Sequence, residues 1–260
     1  GFRLRFSELL RSAFDRFALP VLAITGGVAG VATAYMEHLE KGEKIHVYPT
    51  PLPTKLNERE GLDGPSKQEV FKKNIVVMSF ELLNMFKVCA YSLPDDFPIK
   101  KILESFSLKD AIDFFAQIQD FYDNNPDVLM KIVLQETPRI GVAKLTAAAG
   151  LTFRANDVIV FNSGIRDKDT FIEILFHEYT HDTVQGSTFE GAEFMGEGTT
   201  ELFAREAGRS ETTGAYEKMT FRSYLLQVMD SENLTKLYAG IDSDADDYLE
   251  ENFRRFFTEN

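Results

Sequence analysis

The sequence predicts an α+β fold, mostly helical, with a small β-hairpin ahead of a helix that carries two histidines and with a hydrophobic helix near the N-terminus. Three observations predict it. Several stretches repeat apolar residues at helical spacing, residues 150–164 switch to a β-rich pattern, and residues 17–36 carry no charge. With 260 residues, 44% hydrophobic and 23 Phe, the chain can bury a sizeable core.

Residues 1–45 form the first region. Phe17 to Met36 is about the length that crosses a bilayer. Arg3, Arg5, Arg11 and Arg16 precede it and outnumber Glu8 and Asp15, the polarity of a positive-inside anchor, and Gly26 and Gly30 form a small-xxx-small pair. The segment fits a membrane anchor with the rest of the chain outside the cytoplasm. The same residues also fit a buried Ala/Gly-rich helix, or a signal peptide of a secreted chain cleaved near Ala32-Thr33-Ala34. Residues 46–68, with four prolines among polar and Gly residues, read as an extended linker. Residues 69–260 are then a single catalytic-sized domain.

Within it, Val70, Ile75, Met78, Leu82, Met85 and Phe86 mark a first helix that begins at Ser66. A second starts at Ser107, where SLKD sets an N-cap serine three before Asp110, and runs through Ile112, Phe115 and Ile118. A third covers Asp127 to Gln135. The stretch GLTFRANDVIVFNSG, 150–164, reads as a hairpin turning at Ala155-Asn156-Asp157, with Val158 to Asn162 as its second strand. DKDTFIEILFHEYTHDTVQG follows as a helix from about Asp169 to Gln185, stopped by Gly186. The acidic end, from Ile241 onward, reads as a terminal helix; it lacks the spacing and central Gly of a calcium loop.

The charge of -13 excludes a broad nucleic-acid surface, which needs clustered Lys and Arg. The single cysteine, Cys89, excludes a disulfide framework and a Cys-rich metal site.

The chemistry lies in FHEYTHD, 176–182. On a helix, residues four apart share one face, so His177 and His181 can aim imidazole nitrogens at one metal ion. Glu178 lies beside them, placed to act on water as a general base rather than as a ligand. A hydrolytic zinc site also needs a third protein ligand and an open fourth position. The remaining histidines, His38 and His46, both precede the pair, so the third ligand must be acidic. GEGTTELFARE, 196–206, offers Glu197 and Glu201, which are i and i+4 on a helix that begins near Gly196.

HEYTH followed by GEGTTELF resembles the gluzincin zinc metallopeptidases, the superfamily of thermolysin and the zinc aminopeptidases. The resemblance spans about 150–206 and is confined to motifs. It implies a compact zincin-like catalytic domain, a Zn2+ cofactor, and hydrolysis of peptide bonds in a peptide or protein substrate by a zinc-activated water, with Glu178 as general base. It further implies Glu197 as the third ligand and Glu201 as the carboxylate that orients a ligating histidine. It makes Val160, Phe161 and Asn162 part of an edge strand that holds substrate in extended form. A Tyr, His or Arg must also stabilise the oxyanion. Tyr238 is placed first for that role, ahead of Tyr216, Tyr224 and Arg209. The spacing from His181 is shorter than in thermolysin, and GTTE is also similar to the GTxD of aspzincins; both features favour Glu201 as the ligand instead. Two other functions fit the same residues: a secreted or injected protease toxin or effector, and a non-catalytic zinc-binding or scaffold protein.

Overall fold

The computed structural model describes residues 46–47, 66–146, 148–154, 157–186, 193–208 and 232–241. The segment 17–36, most of the 46–68 stretch, the turn residues Ala155 and Asn156, and the terminal acidic helix lie outside the described residues, as do Arg209, Tyr216 and Tyr224. The elements in chain order are β1 (His46–Val47), α1 (Lys67–Ser92), α2 (Pro98–Ser105), α3 (Leu108–Phe121), α4 (Pro126–Val133), β2 (Arg139–Ala143), β3 (Gly150–Phe153), β4 (Val158–Asn162), α5 (Lys168–Thr183) and α6 (Glu193–Gly208). A further helix, α7, covers 232–239. The described chain is thus mostly helical with one small sheet.

Local signals set the helix starts. Ser107 and Asp110 cap α3 reciprocally. The Asp110 N–H donates to Ser107 Oγ at 3.2 Å, and the Ser107 N–H donates to Asp110 Oδ2 at 2.7 Å. Proline at the first turn opens both α2 and α4, where its missing N–H costs nothing. Helix α5 begins under Asp167, whose Oδ2 accepts the Thr170 N–H at 2.8 Å.

The chain forms two compact units. The first includes 75–115 and 136–182 and holds the sheet, in the order β1-β2-β4-β3. β3 and β4 form the antiparallel hairpin expected from 150–164, with Gly150 opposite Phe161 and Phe153 opposite Val158. Asp157, at its turn, takes a positive φ of 50°, a conformation that Asp tolerates better than most residues. β2 pairs parallel to β4, with Gly141 beside Val160, and β1 pairs antiparallel to β2.

β4 is therefore flanked on both sides. Val160 and Phe161 are fully buried, and Asn162 uses its side-chain amide to donate to the Leu145 and Ala148 carbonyls. The edge position expected for these three residues falls instead to β3. The cause is β2: RIGVA gives little periodicity of its own, yet it covers the side of β4 away from the hairpin.

Aromatic packing joins the helices of this unit to the sheet. Phe86 of α1 stacks edge-on against Phe106 and Phe171, at 4.9 and 5.4 Å, and Phe171 of α5 meets Phe161 of β4 at 4.9 Å. Phe114 and Phe115 of α3 meet Tyr179 of α5 at 5.5 and 5.7 Å. Among the described residues α1 is the helix long and apolar enough to cross a membrane, and it also supplies the buried Ile75, Met78, Leu82 and Phe86. Cys89, also on α1, is buried, and burial pushes its thiol up to about 12, which makes it an inert packing residue.

The second unit includes 116–135, α6 and α7. Phe203 of α6 packs on Phe121, Tyr122 and Tyr238, 5.2 Å from the last. Lys131 donates to the carbonyls of Val184 and Ala239, at 2.7 and 2.8 Å, satisfying acceptors at two helix ends. Gly186 is required here: a Cβ would stand 2.6 Å from Gly240 Cα.

Phe171 touches three other rings and has no exposed surface. Phe171→Ala should cost about 3–5 kcal/mol, read as a drop in the denaturation midpoint. A loss under about 1 kcal/mol would show that this aromatic cluster is not the core of its unit.

Candidate metal centre

The helix expected from Asp169 to Gln185 is α5, which ends at Thr183, and all residues from 175 to 186 are buried. One face supplies Leu175, Phe176 and Tyr179 to the core. The buried remainder includes His177, Glu178, His181 and Asp182, each 6–8% exposed. Ionisable groups are seldom buried without partners, and each of these has a defined setting.

His177 and His181 stand one turn apart with their Nε2 atoms 3.1 Å from each other. Two nitrogens bound at tetrahedral zinc distances stand about 3.3 Å apart. Helical spacing alone brings the two rings to that separation. Glu197, on α6, joins them: one ligand atom from each of His177, His181 and Glu197 lies within 4.8 Å of the others. Two imidazoles and a carboxylate are a donor set suited to zinc. Glu201 is not in this group. Its Oε1 accepts the Arg205 Nε–H at 2.8 Å, a pair four residues apart on the same helix.

Glu178 is held from the sheet. The Thr152 hydroxyl of β3 lies 2.7 Å from Glu178 Oε2 and 3.0 Å from the Glu178 carbonyl oxygen. Two residues earlier, a Cβ on Gly150 would stand 2.7 Å from both Cγ and Oε1 of Glu178. Alternate residues of a strand share a face, so 150 and 152 approach the helix while Leu151 and Phe153 pack with Ala143, Val158 and Val160. The sequence reading missed both residues. Their signal is the GxT alternation inside GLTF, which only the strand's position beside α5 makes meaningful.

Asp182 follows His181 directly. Burial pushes its carboxyl up to about 8; repulsion from Asp157 adds to the rise and attraction to Arg154 opposes it. Tyr238, expected as an oxyanion donor, has no exposed surface; its hydroxyl bonds to Thr200 Oγ1, and its ring packs on Phe203. Its chemistry here is that of a buried tyrosine with a satisfied hydroxyl.

Compared with known proteins, the chain matches no family model, no curated protein and no solved structure.

Two outcomes follow from these contacts. Gly150→Ala should force the Glu178 side chain out of its place, visible in a crystal structure of the variant; an unmoved Glu178 carboxylate would contradict the close approach. Asp182 has its proton affinity raised by folding, from 3.8 to about 8. The native state then binds the proton more tightly than the unfolded chain, so this group's contribution falls as pH rises from about 4 to about 8. In the metal-free protein, Asp182→Asn should raise Tm relative to the parent at pH 8 and leave little difference at pH 4. Equal shifts at both pH values would contradict the assignment.

Proposed function

We propose that the chain is a zinc-dependent peptidase in which His177, His181 and Glu197 hold the metal and Glu178 is the general base. The observation that carries this reading is the convergence of the two buried Nε2 atoms at 3.1 Å, beside a buried carboxylate that the sheet holds in place. A buried histidine pair with no cation between its ring nitrogens needs one Nε2–H to donate to the other. The same geometry serves a shared metal ion without that constraint.

Zinc held there supplies Lewis-acid polarisation of a carbonyl and makes water acidic enough to lose a proton near neutral pH. The chain's own groups do the rest. Glu178 Oε2 is engaged by Thr152, which leaves Oε1 to take the proton from water and return it to the leaving amine. Gly150, which has no Cβ, lets the β3 backbone come this close to Glu178 Cγ and Oε1. Burial of the whole turn limits bulk water around these groups and strengthens each electrostatic contact. β3, at the sheet edge, takes over from β4 as the strand on which an extended peptide would lie, with main-chain hydrogen bonds as the source of affinity. Glu197 is favoured over Glu201 as third ligand because its carboxylate, and not that of Glu201, groups with the two imidazoles.

The test is zinc per chain together with hydrolysis of labelled casein. The parent protein should carry about one zinc, and His177→Ala or His181→Ala should lose both metal and hydrolysis. Glu178→Gln should keep the metal while hydrolysis falls about 10²–10⁴-fold. Near-normal hydrolysis by Glu178→Gln would sink the mechanism. Loss of zinc in Glu201→Ala but not in Glu197→Ala would reverse the ligand assignment.

A further inference from the structure

Thr152 stands apart from the residues that a histidine–glutamate–histidine motif predicts, because it lies on the sheet, 26 positions from the glutamate it touches. We infer that Thr152 is the positioning residue of Glu178, fixing the carboxylate so that one oxygen is always presented for proton transfer; this inference rests on the peptidase reading above.

The geometry behind it has three parts. First, the hydroxyl reaches two acceptors on the same residue, Oε2 at 2.7 Å and the carbonyl oxygen at 3.0 Å. A threonine hydroxyl carries one proton and two lone pairs. Its one proton can be given to either of these acceptors, so the hydroxyl ties the Glu178 side chain to the strand from a single position.

Second, the strand fixes where Thr152 sits. Its strand position is set by pairing with Ile159, a fully buried residue of β4, and its neighbours Leu151 and Phe153 are packed on the opposite face. A β-branched side chain in a strand has restricted χ1 freedom, so the hydroxyl direction follows from the backbone. Third, Gly150 lies on the same strand face and leaves no Cβ to push against Glu178 Cγ and Oε1. The carboxylate is therefore braced through Oε2 and lies close against the Gly150 backbone. Sequence motifs centred on α5 place the glutamate on the helix but say nothing about which way its carboxylate turns. β3 decides that.

The experiment uses the full chain with Thr152→Val, which keeps the shape and removes the hydroxyl, and Thr152→Ser, which keeps the hydroxyl. Zinc per chain, Tm, kcat and KM on fluorescein-labelled casein, and the crystal structure of each variant are measured together. Thr152→Val should keep zinc content and KM while kcat falls about 10- to 100-fold, the scale of a misplaced catalytic group, and Thr152→Ser should recover most of the loss. In the crystal, the Glu178 carboxylate should leave its place in Thr152→Val and return in Thr152→Ser. A carboxylate that stays put in zinc-loaded Thr152→Val, or a serine variant as slow as the valine one, overturns the role of Thr152 alone. Absence of zinc and of hydrolysis in the parent protein overturns the peptidase reading instead, and the role of Thr152 within it, wherever the carboxylate is found.

Discussion

Burial of the helical stretch 177–182, which carries His177, Glu178, His181 and Asp182, is the constraint around which this structure is organised. Four ionisable side chains on two successive turns are costly to remove from water unless each meets a partner. The chain answers with a different device for each. The histidines face one another, Glu178 meets a strand hydroxyl, and Asp182, whose buried Oδ1 has no hydrogen-bond partner among the described residues, has its proton affinity raised by that burial. Helix α5 cannot present a conventional polar face, because core packing by Phe171, Leu175, Phe176 and Tyr179 has placed the whole of its second half inside.

That constraint reaches the sheet. A strand close enough to hydrogen-bond a helix turn must be thin where it crosses, and Gly150 provides the thin point two residues before Thr152. The strand must also be stiff, and its pairing with β4 makes it so. β4 in turn is fixed by β2 on its other side and by Phe171 stacked on Phe161. The order β1-β2-β4-β3 therefore does more than build a core: it leaves the strand that touches Glu178 at an edge, the position from which a main chain can still pair with something else.

The second unit shows the same economy of polar atoms. Thr200 donates back to the Gly196 carbonyl within α6 and also meets the Tyr238 hydroxyl. Lys131 gathers carbonyls from the ends of α5 and α7. These bonds keep α6, and so the backbone that carries Glu197, in a defined conformation. A carboxylate ligand contributes more to metal binding when its helix is already ordered, since less entropy is lost on closing the site. If the centre binds zinc as proposed, stabilisation by ligand binding would add to this order by mass action.

Much was legible in the sequence because it depends on local rules. Helix starts at Ser66 and Ser107, the hairpin across 150–162, and the shared face of His177 and His181 all follow from capping chemistry and from the periods of helix and strand; Gly186, read as a helix stop, instead lies three residues past the end of α5 and makes room for Gly240. Those rules act over a few residues, so the residues themselves carry them. Whether Glu197 or Glu201 joins the histidines, which strand lies at the edge, whether Tyr238 is accessible, and what holds Glu178 depend on pairings between segments far apart in the chain. β2 pairs with β4 at a separation of 19 positions (Arg139 with Val158, 158 − 139), and Thr152 meets Glu178 across 26. No local pattern encodes such distances. They are set when packing brings β3 against α5, and that step turns a motif on a helix into an arranged group of atoms.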